Sequence, residues 1–278
     1  MTVYPITDYD DAYANGAHIA GAAEFPPRWS KQAQALRDTL AQAGKARIDL
    51  AYGSGDRQVV DLFLPEDAPV GLVVFVHGGY WKAFDKSVWS HLAAGPLAHG
   101  FAVAMPSYTL CPDARIGGIA QEITAAIGFC AGEVSGPIHL TGHSAGGHLV
   151  TRMISGEALL SATVLKRIAG VVSISGVHDL RPVMRTEMND TLHIDMDEAR
   201  LHSPVLLEPH VAVPVTAWVG ANERPEFVRQ NRALFDMWRG FATPMTIMEE
   251  AGRHHFDVID GLADPDHPLC KAVVGAAG

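Results

Sequence analysis

Cysteine is nearly missing from this chain. Three residues, Cys111, Cys130 and Cys270, stand among 278, and none forms a Cys-x-x-Cys pair. So sparse and odd a set argues against a disulfide framework and points to a reducing compartment. Basic charge is also short, with 21 Lys and Arg against 31 Asp and Glu, a formal net charge of −10 and no Lys/Arg cluster. Nucleic-acid binding needs a basic footprint, so no nucleic-acid partner is expected. An acidic surface mainly promotes solubility. Long apolar runs are lacking too: stretches such as residues 71–76 are far too short to span a bilayer, and no membrane partner is expected. Met1 to Asp8 has neither the basic nor the apolar region of a signal peptide, which makes the cytoplasm the expected location. The 14 histidines include no H-E-x-x-H, and the adjacent His254 and His255 would point apart on any regular element. Neither a metal nor an organic cofactor is therefore expected. With no repeat, low-complexity tract or linker, residues 1–278 read as a single domain.

What is present is a globular composition, 48% hydrophobic and 19% charged. Residues 9–46 read as helical, with Trp29, Ala33, Leu36 and Leu40 at three- and four-residue steps and Ser30 as a cap. Two strand-like runs, 46–52 and 58–64, flank the turn chemistry of Gly53-Ser54-Gly55-Asp56 and predict an antiparallel hairpin. From residue 71 the apolar runs become continuous, as in strands covered on both faces. Strands are expected at 71–76, 101–105, 137–141, 168–174, 214–219 and 245–248, with helices near 87–99, 119–130, 148–154 and 225–239. This alternation predicts an α/β fold with a doubly wound, mostly parallel sheet. Residues 177–209 break it with a polar, proline- and histidine-containing stretch, expected to form a small cap insertion.

Gly142-His143-Ser144-Ala145-Gly146 stands where a strand gives way to a helix. A serine on such a turn is pushed into a strained, exposed position, and glycines two residues either side keep strand and helix from colliding. A serine hydroxyl is a poor nucleophile and needs a base, an orienting carboxylate and an oxyanion hole. Each has a candidate, in the chain order serine, acid, histidine. For the base, Gly252-Arg253-His254-His255-Phe256 follows the last strand; His255 is preferred because Phe256, Val258 and Ile259 would anchor it. For the acid, Glu223 lies in the loop after strand 214–219, and Asp179 in the loop one strand earlier is the contender. Glu226, in the first turn of the next helix, reads as a residue satisfying the helix dipole. For the oxyanion hole, His77-Gly78-Gly79-Tyr80-Trp81 follows a buried strand, and Gly78, Gly79, Tyr80 and Ala145 are the expected backbone donors. Tyr80, Trp81, Phe84 and His143 are the expected substrate-binding side chains.

With these residues in view, the chain resembles the α/β-hydrolase branch that contains kynurenine formamidase (arylformamidase) and related esterases. His77-Gly78-Gly79-Tyr80-Trp81 is similar to that family's H-G-G-x-W signature. Similarity continues through Ser107 to Pro112, Gly142 to Gly147, Ser175 to Leu180, Pro225 to Phe227 with Gln230, and His255 to Asp257, so it covers nearly the whole chain. The resemblance implies Ser144 as nucleophile, His255 as general base and the Glu223 position as the acid. The family usually has aspartate there, so Glu223 is a departure. The implied activity is serine hydrolysis of an aryl formamide or similar aryl amide, with carboxylester hydrolysis as the alternative and a non-catalytic binding protein as a third. The expected partner is a small-molecule amide or ester, with a homodimer left open. Arg253 has no reading from sequence.

Overall fold

The computed structural model describes residues 6–275. Its strands are β1 (Ala46–Ala51), β2 (Val59–Phe63), β3 (Leu72–Val76), β4 (Ala102–Pro106), β5 (Ile138–His143), β6 (Ile168–Ile174), β7 (Val215–Gly220) and β8 (Met245–Glu250). They form one sheet in the order β1-β2-β4-β3-β5-β6-β7-β8. β2 runs antiparallel to β1 and β4, and every other pairing is parallel. The expected hairpin and mostly parallel sheet are both present. Helices before β4 are α1 (Tyr9–Tyr13), α2 (Phe25–Gln42) and α3 (Ala94–Ala98). Then come α4 (Ile116–Glu133), α5 (Ala145–Arg152), α6 (Ala162–Leu165), α7 (Asn189–Leu192), α8 (Met196–His202), α9 (Pro225–Trp238) and α10 (Pro268–Val274).

β3 shows how the sheet is covered. All five of its residues are buried. Leu72, Val74 and Val76 join a core with Ile119, Ile123, Leu149 and Phe227 from α4, α5 and α9. Val73 and Phe75 join the opposite core, with Trp29 of α2 and Leu269 and Val273 of α10. Period-two alternation thus sorts one strand into two hydrophobic layers.

The expected helix over 9–46 is instead two helices separated by 3₁₀ turns at Gly16–His18 and Ala22–Glu24. α1 ends at Tyr13 with Ala14 as its C-cap, Gly21 at φ 68° turns the chain between the two 3₁₀ turns, and Pro26 and Pro27 stand in the first turn of α2. Ser30 therefore lies inside α2 rather than at its cap, while Trp29 and Ala33 are buried as the spacing predicts. The segment at 87–99 is mostly 3₁₀, Lys86–Ala93, begun by Asp85 accepting from the Ser87 N–H, and only α3 is α-helical. The helix expected from 148 begins at Ala145, directly after the serine. Residues 177–209 contain α7, α8 and two 3₁₀ turns, and from them Leu180, Val183, Leu192 and Ala199 are buried in the same core as Leu72 and Val74. Among the described residues no helix is long and apolar enough to cross a membrane.

Candidate active site

The C-terminal ends of β3, β5, β6, β7 and β8 converge on one place. Ser144 links β5 to α5 with φ 56° and ψ −115°, a conformation that L-residues adopt only under strain. The close approach that forces it is visible at the flanking glycines. A Cβ on Gly146 would lie 1.9 Å from the Val76 carbonyl oxygen, and one on Gly142 would lie 2.4 Å from the Gly146 backbone. The Ser144 N–H donates to the Ile174 carbonyl at 2.8 Å, which ties the turn to β6.

His255, in the loop after β8, is 4% exposed. Its Nδ1 is 2.6 Å from Oε2 of the buried Glu223, which follows β7. The Glu223 Oε1 accepts from the Gly220 N–H at 2.8 Å and from the Ser175 hydroxyl. A carboxylate on Nδ1 selects the tautomer with its proton there, which leaves Nε2 as an acceptor. The imidazole is packed between Phe227, with ring centroids 4.4 Å apart, and His143, 4.6 Å away. His143 Nε2 donates to the His255 carbonyl at 2.9 Å. Burial, and then the neighbouring His255, hold the His143 imidazole well below its usual pKa, so it stays neutral. Ser144 and His255 line one cavity of about 370 Å³.

The loop after β3 runs against the serine. A Cβ on Gly78 would sit 2.8 Å from the His143 carbonyl, and Gly79 adopts φ 110°. The N–H groups of Gly78, Gly79, Tyr80 and Ala145 donate to no protein acceptor among the described residues. His77 holds the loop from behind: it stacks on Tyr108 at 4.4 Å and donates from Nδ1 to the Gly78 carbonyl at 2.7 Å.

Of the expected substrate-binding side chains, Tyr80, Phe84 and His143 line the cavity. Trp81 does not. It is fully buried with its ring 5.1 Å from His148 in the core, because positive φ at Tyr80 (49°) and Trp81 (55°) turns the two side chains apart. Asp179 is paired in a fork with Arg181 at 2.9 Å, so Glu223, not Asp179, faces the histidine. Glu226 lies in the first turn of α9 as expected, but it makes no cap bond to the helix. It is 4% exposed and accepts from Tyr13 (2.6 Å), Arg229 and Gln230. Arg253 lies within reach of Glu250 (3.2 Å) and Asp257 (3.7 Å), and its carbonyl accepts from the Asn222 N–H, fastening the loop before His255 to the loop bearing Glu223. His254 accepts backbone N–H groups at Nδ1 and packs on Phe25.

The remaining cavity wall is made of residues that sequence reasoning did not assign to the pocket. Tyr13, Asn15 and Trp29 arrive from the N-terminal segment, Trp89 from the 3₁₀ turn, Met188 from the 177–209 stretch and Phe256 from beside His255. Trp29 packs on Trp89 at 4.7 Å with the rings tilted by 37° and meets Phe256 edge-on at 5.4 Å, so much of the wall is aromatic. Among the described residues no three His, Cys, Asp or Glu side chains converge as a metal-holding group.

A parallel sheet with a serine elbow and a Glu-His pair at its C-terminal edge defines an α/β-hydrolase. The sequence pattern of the BD-FAE family matches residues 60–233. Kynurenine formamidase of Drosophila melanogaster is 31% identical over 256 residues, covering 84% of this chain and 83% of that one. A solved structure from Silicibacter sp. TM1040, described as a candidate thioesterase, is 52% identical, covers 96% of this chain and 99% of that one, and superposes with a TM-score of 0.90. Esterase B of Lactobacillus rhamnosis, 19% identical, covers 92% and 94% with a TM-score of 0.63 and shares the fold. The chain belongs to the BD-FAE family, is a homologue of the kynurenine formamidases, and is a hydrolase of amide or ester bonds.

Proposed function

We propose that the protein is a serine hydrolase of aryl formamides or similar aryl amides, acting through an acyl-enzyme on Ser144. The observation that carries this reading is the strained Ser144 sharing an aromatic-walled cavity with a His255 whose Nδ1 is occupied by Glu223. His255 Nε2 takes the Ser144 proton as Oγ bonds to the substrate carbonyl carbon. The resulting oxyanion sits against the N–H groups of the Gly79–Tyr80 loop and Ala145. Collapse breaks the C–N bond while His255 gives its proton to the leaving amine. Water, deprotonated by the same imidazole, then releases the acid (formate, for a formamide) and restores Ser144. Glu223 orients the imidazole and stabilises its charged form.

Ester hydrolysis is the second reading, favoured by the aromatic side of the cavity around Trp29 and Trp89, which fits a phenyl ester as well as an anilide; Lys82 also lines the cavity. A kinetic panel of N-formylkynurenine, other aryl amides, aryl esters and an acyl thioester separates these. Ser144→Ala is expected to lower kcat by about 10⁶ on whichever substrate is turned over, with the circular dichroism spectrum unchanged. Activity within tenfold of the unaltered protein would end the mechanism.

A further inference from the structure

The loop that carries His255 has far to reach. It leaves β8, whereas Ser144 follows β5, three strands away in the order β5-β6-β7-β8. At about 4.8 Å between neighbouring strands, the loop must return roughly 14 Å across the strand ends. It is tied down on the way. The Asn222 N–H donates to the Arg253 carbonyl, and the Phe256 N–H donates to His254 Nδ1 at 3.2 Å. At His255 itself the main chain makes a single hydrogen bond among the described residues, its carbonyl accepting from His143 Nε2 at 2.9 Å. A carbonyl can only accept, so Nε2 carries the proton of the neutral His143 ring. His143 is the last residue of β5, paired with Ile174 of β6, so the sheet sets its position. Its ring is 4% exposed and packs against both Trp89, with centroids 6.1 Å apart, and the His255 imidazole, 4.6 Å away.

We propose that His143 is a positioning residue for the general base: its Nε2–H anchors the His255 carbonyl to the end of β5 and so fixes the imidazole relative to the adjoining serine. The proposal rests on the roles of Ser144 and His255 given above. Glu223 sets the tautomer of the His255 ring and Phe227 packs against it, but neither belongs to β5. The His143 bond joins the strand end that bears the nucleophile directly to the loop that bears the base. Its ring also stays neutral, so it adds no positive charge beside an imidazole that must itself become charged during turnover.

The competing role for His143 is direct contact with substrate, since it lines the 370 Å³ cavity, and the test separates the two. We compare kcat and KM for formanilide and phenyl acetate, and the rate at which an organophosphate labels Ser144, in the unaltered protein, His143→Phe and His143→Gln. Phenylalanine keeps an aromatic ring against His255 without the donor. Glutamine gives up the ring but can place an amide N–H near the position of Nε2. In His143→Phe, kcat for both substrates and the labelling rate fall together by about tenfold, with KM within about twofold. His143→Gln recovers most of these losses. A loss confined to KM, or one that differs between the two substrates, overturns the proposal and makes His143 a substrate contact. Glutamine no better than phenylalanine overturns it too, because the ring and not the N–H would then matter. Proton–nitrogen correlation NMR of the histidine rings in the unaltered protein tests it without any variant. The Nε2–H tautomer of His143 is expected, and the Nδ1–H tautomer would leave no donor for the His255 carbonyl and overturn the proposal. Failure of an organophosphate to label Ser144 in the unaltered protein would instead remove the serine mechanism on which the proposal rests.

Discussion

Glu223 is one methylene longer than aspartate, and three groups fix where that extra length puts its carboxylate. Oε1 is held by Ser175 and the Gly220 N–H, and Oε2 by His255. Ser175 can reach it because β6 ends there with φ 51°, which turns the hydroxyl toward β7. Loss of one of these bonds leaves a buried carboxylate oxygen one donor short, worth about tenfold in rate. Ser175→Ala is therefore expected to lower kcat about tenfold with KM unchanged, while Glu223→Gln, which favours the wrong tautomer, lowers it by about 10⁴. Asp179→Asn disturbs only the Arg181 fork and leaves kcat within a few fold; a larger effect there than at Glu223 would reassign the acid. The placement of Ser144, Glu223 and His255 at one edge of the sheet was legible because each lies in a short loop at a strand end, where local pattern decides the conformation. The burial of Glu226 was not, since its partner Tyr13 is 213 residues away in sequence. Nor was the inward turn of Trp81, which depends on two consecutive left-handed backbones rather than on its residue type.

At the scale of elements, β3, β5 and α5 approach so closely that only glycine fits between them. Gly146→Ala places a methyl carbon 1.9 Å from the Val76 carbonyl, so α5 must lift from the sheet and carry Ser144 with it. A displacement near 1 Å at a reacting atom costs about a hundredfold in rate. Gly146→Ala is expected to lose at least that in kcat and to lower the urea midpoint, whereas Gly118→Ala in α4, where a Cβ meets nothing within 4 Å, leaves both nearly unchanged. Equal behaviour of the two variants would mean that the elbow tolerates movement. The same steric pattern made the sheet readable, since buried parallel strands are continuous apolar runs whatever surrounds them. The N-terminal segment was harder. Its apolar spacing is helical, but two 3₁₀ turns with Gly21 between them divide it, and α1 is held in place by contacts with α9 and Tyr80 rather than by its own five residues.

Across the whole molecule, four buried histidines make the stability of the fold depend on pH. Burial pushes His77 and His91 down to about 4, and His148 and His178 down to about 3. All four are neutral imidazoles built into the folded interior, and each titrates near 6.5 once unfolded. Their folded values are depressed, so the unfolded chain binds more protons as pH falls below about 6.5. The stability they confer is fully present above that pH and drains away toward pH 4 and then 3, at about 1.4 kcal/mol per pH unit for each histidine. Urea midpoints are therefore expected to be flat from pH 8 to 7 and to fall steeply below 6.5. His91 gives the cleanest check, because both of its ring nitrogens lack partners among the described residues and it lies outside the Ser144 cavity. His91→Leu removes one titrating group without breaking a hydrogen bond, so the variant should gain on the parent steadily from pH 6.5 to pH 4.5 while differing little in slope above pH 7. Curves that stay parallel through that window would show that His91 is already charged in the fold, and the acid sensitivity would then have to come from the carboxylates.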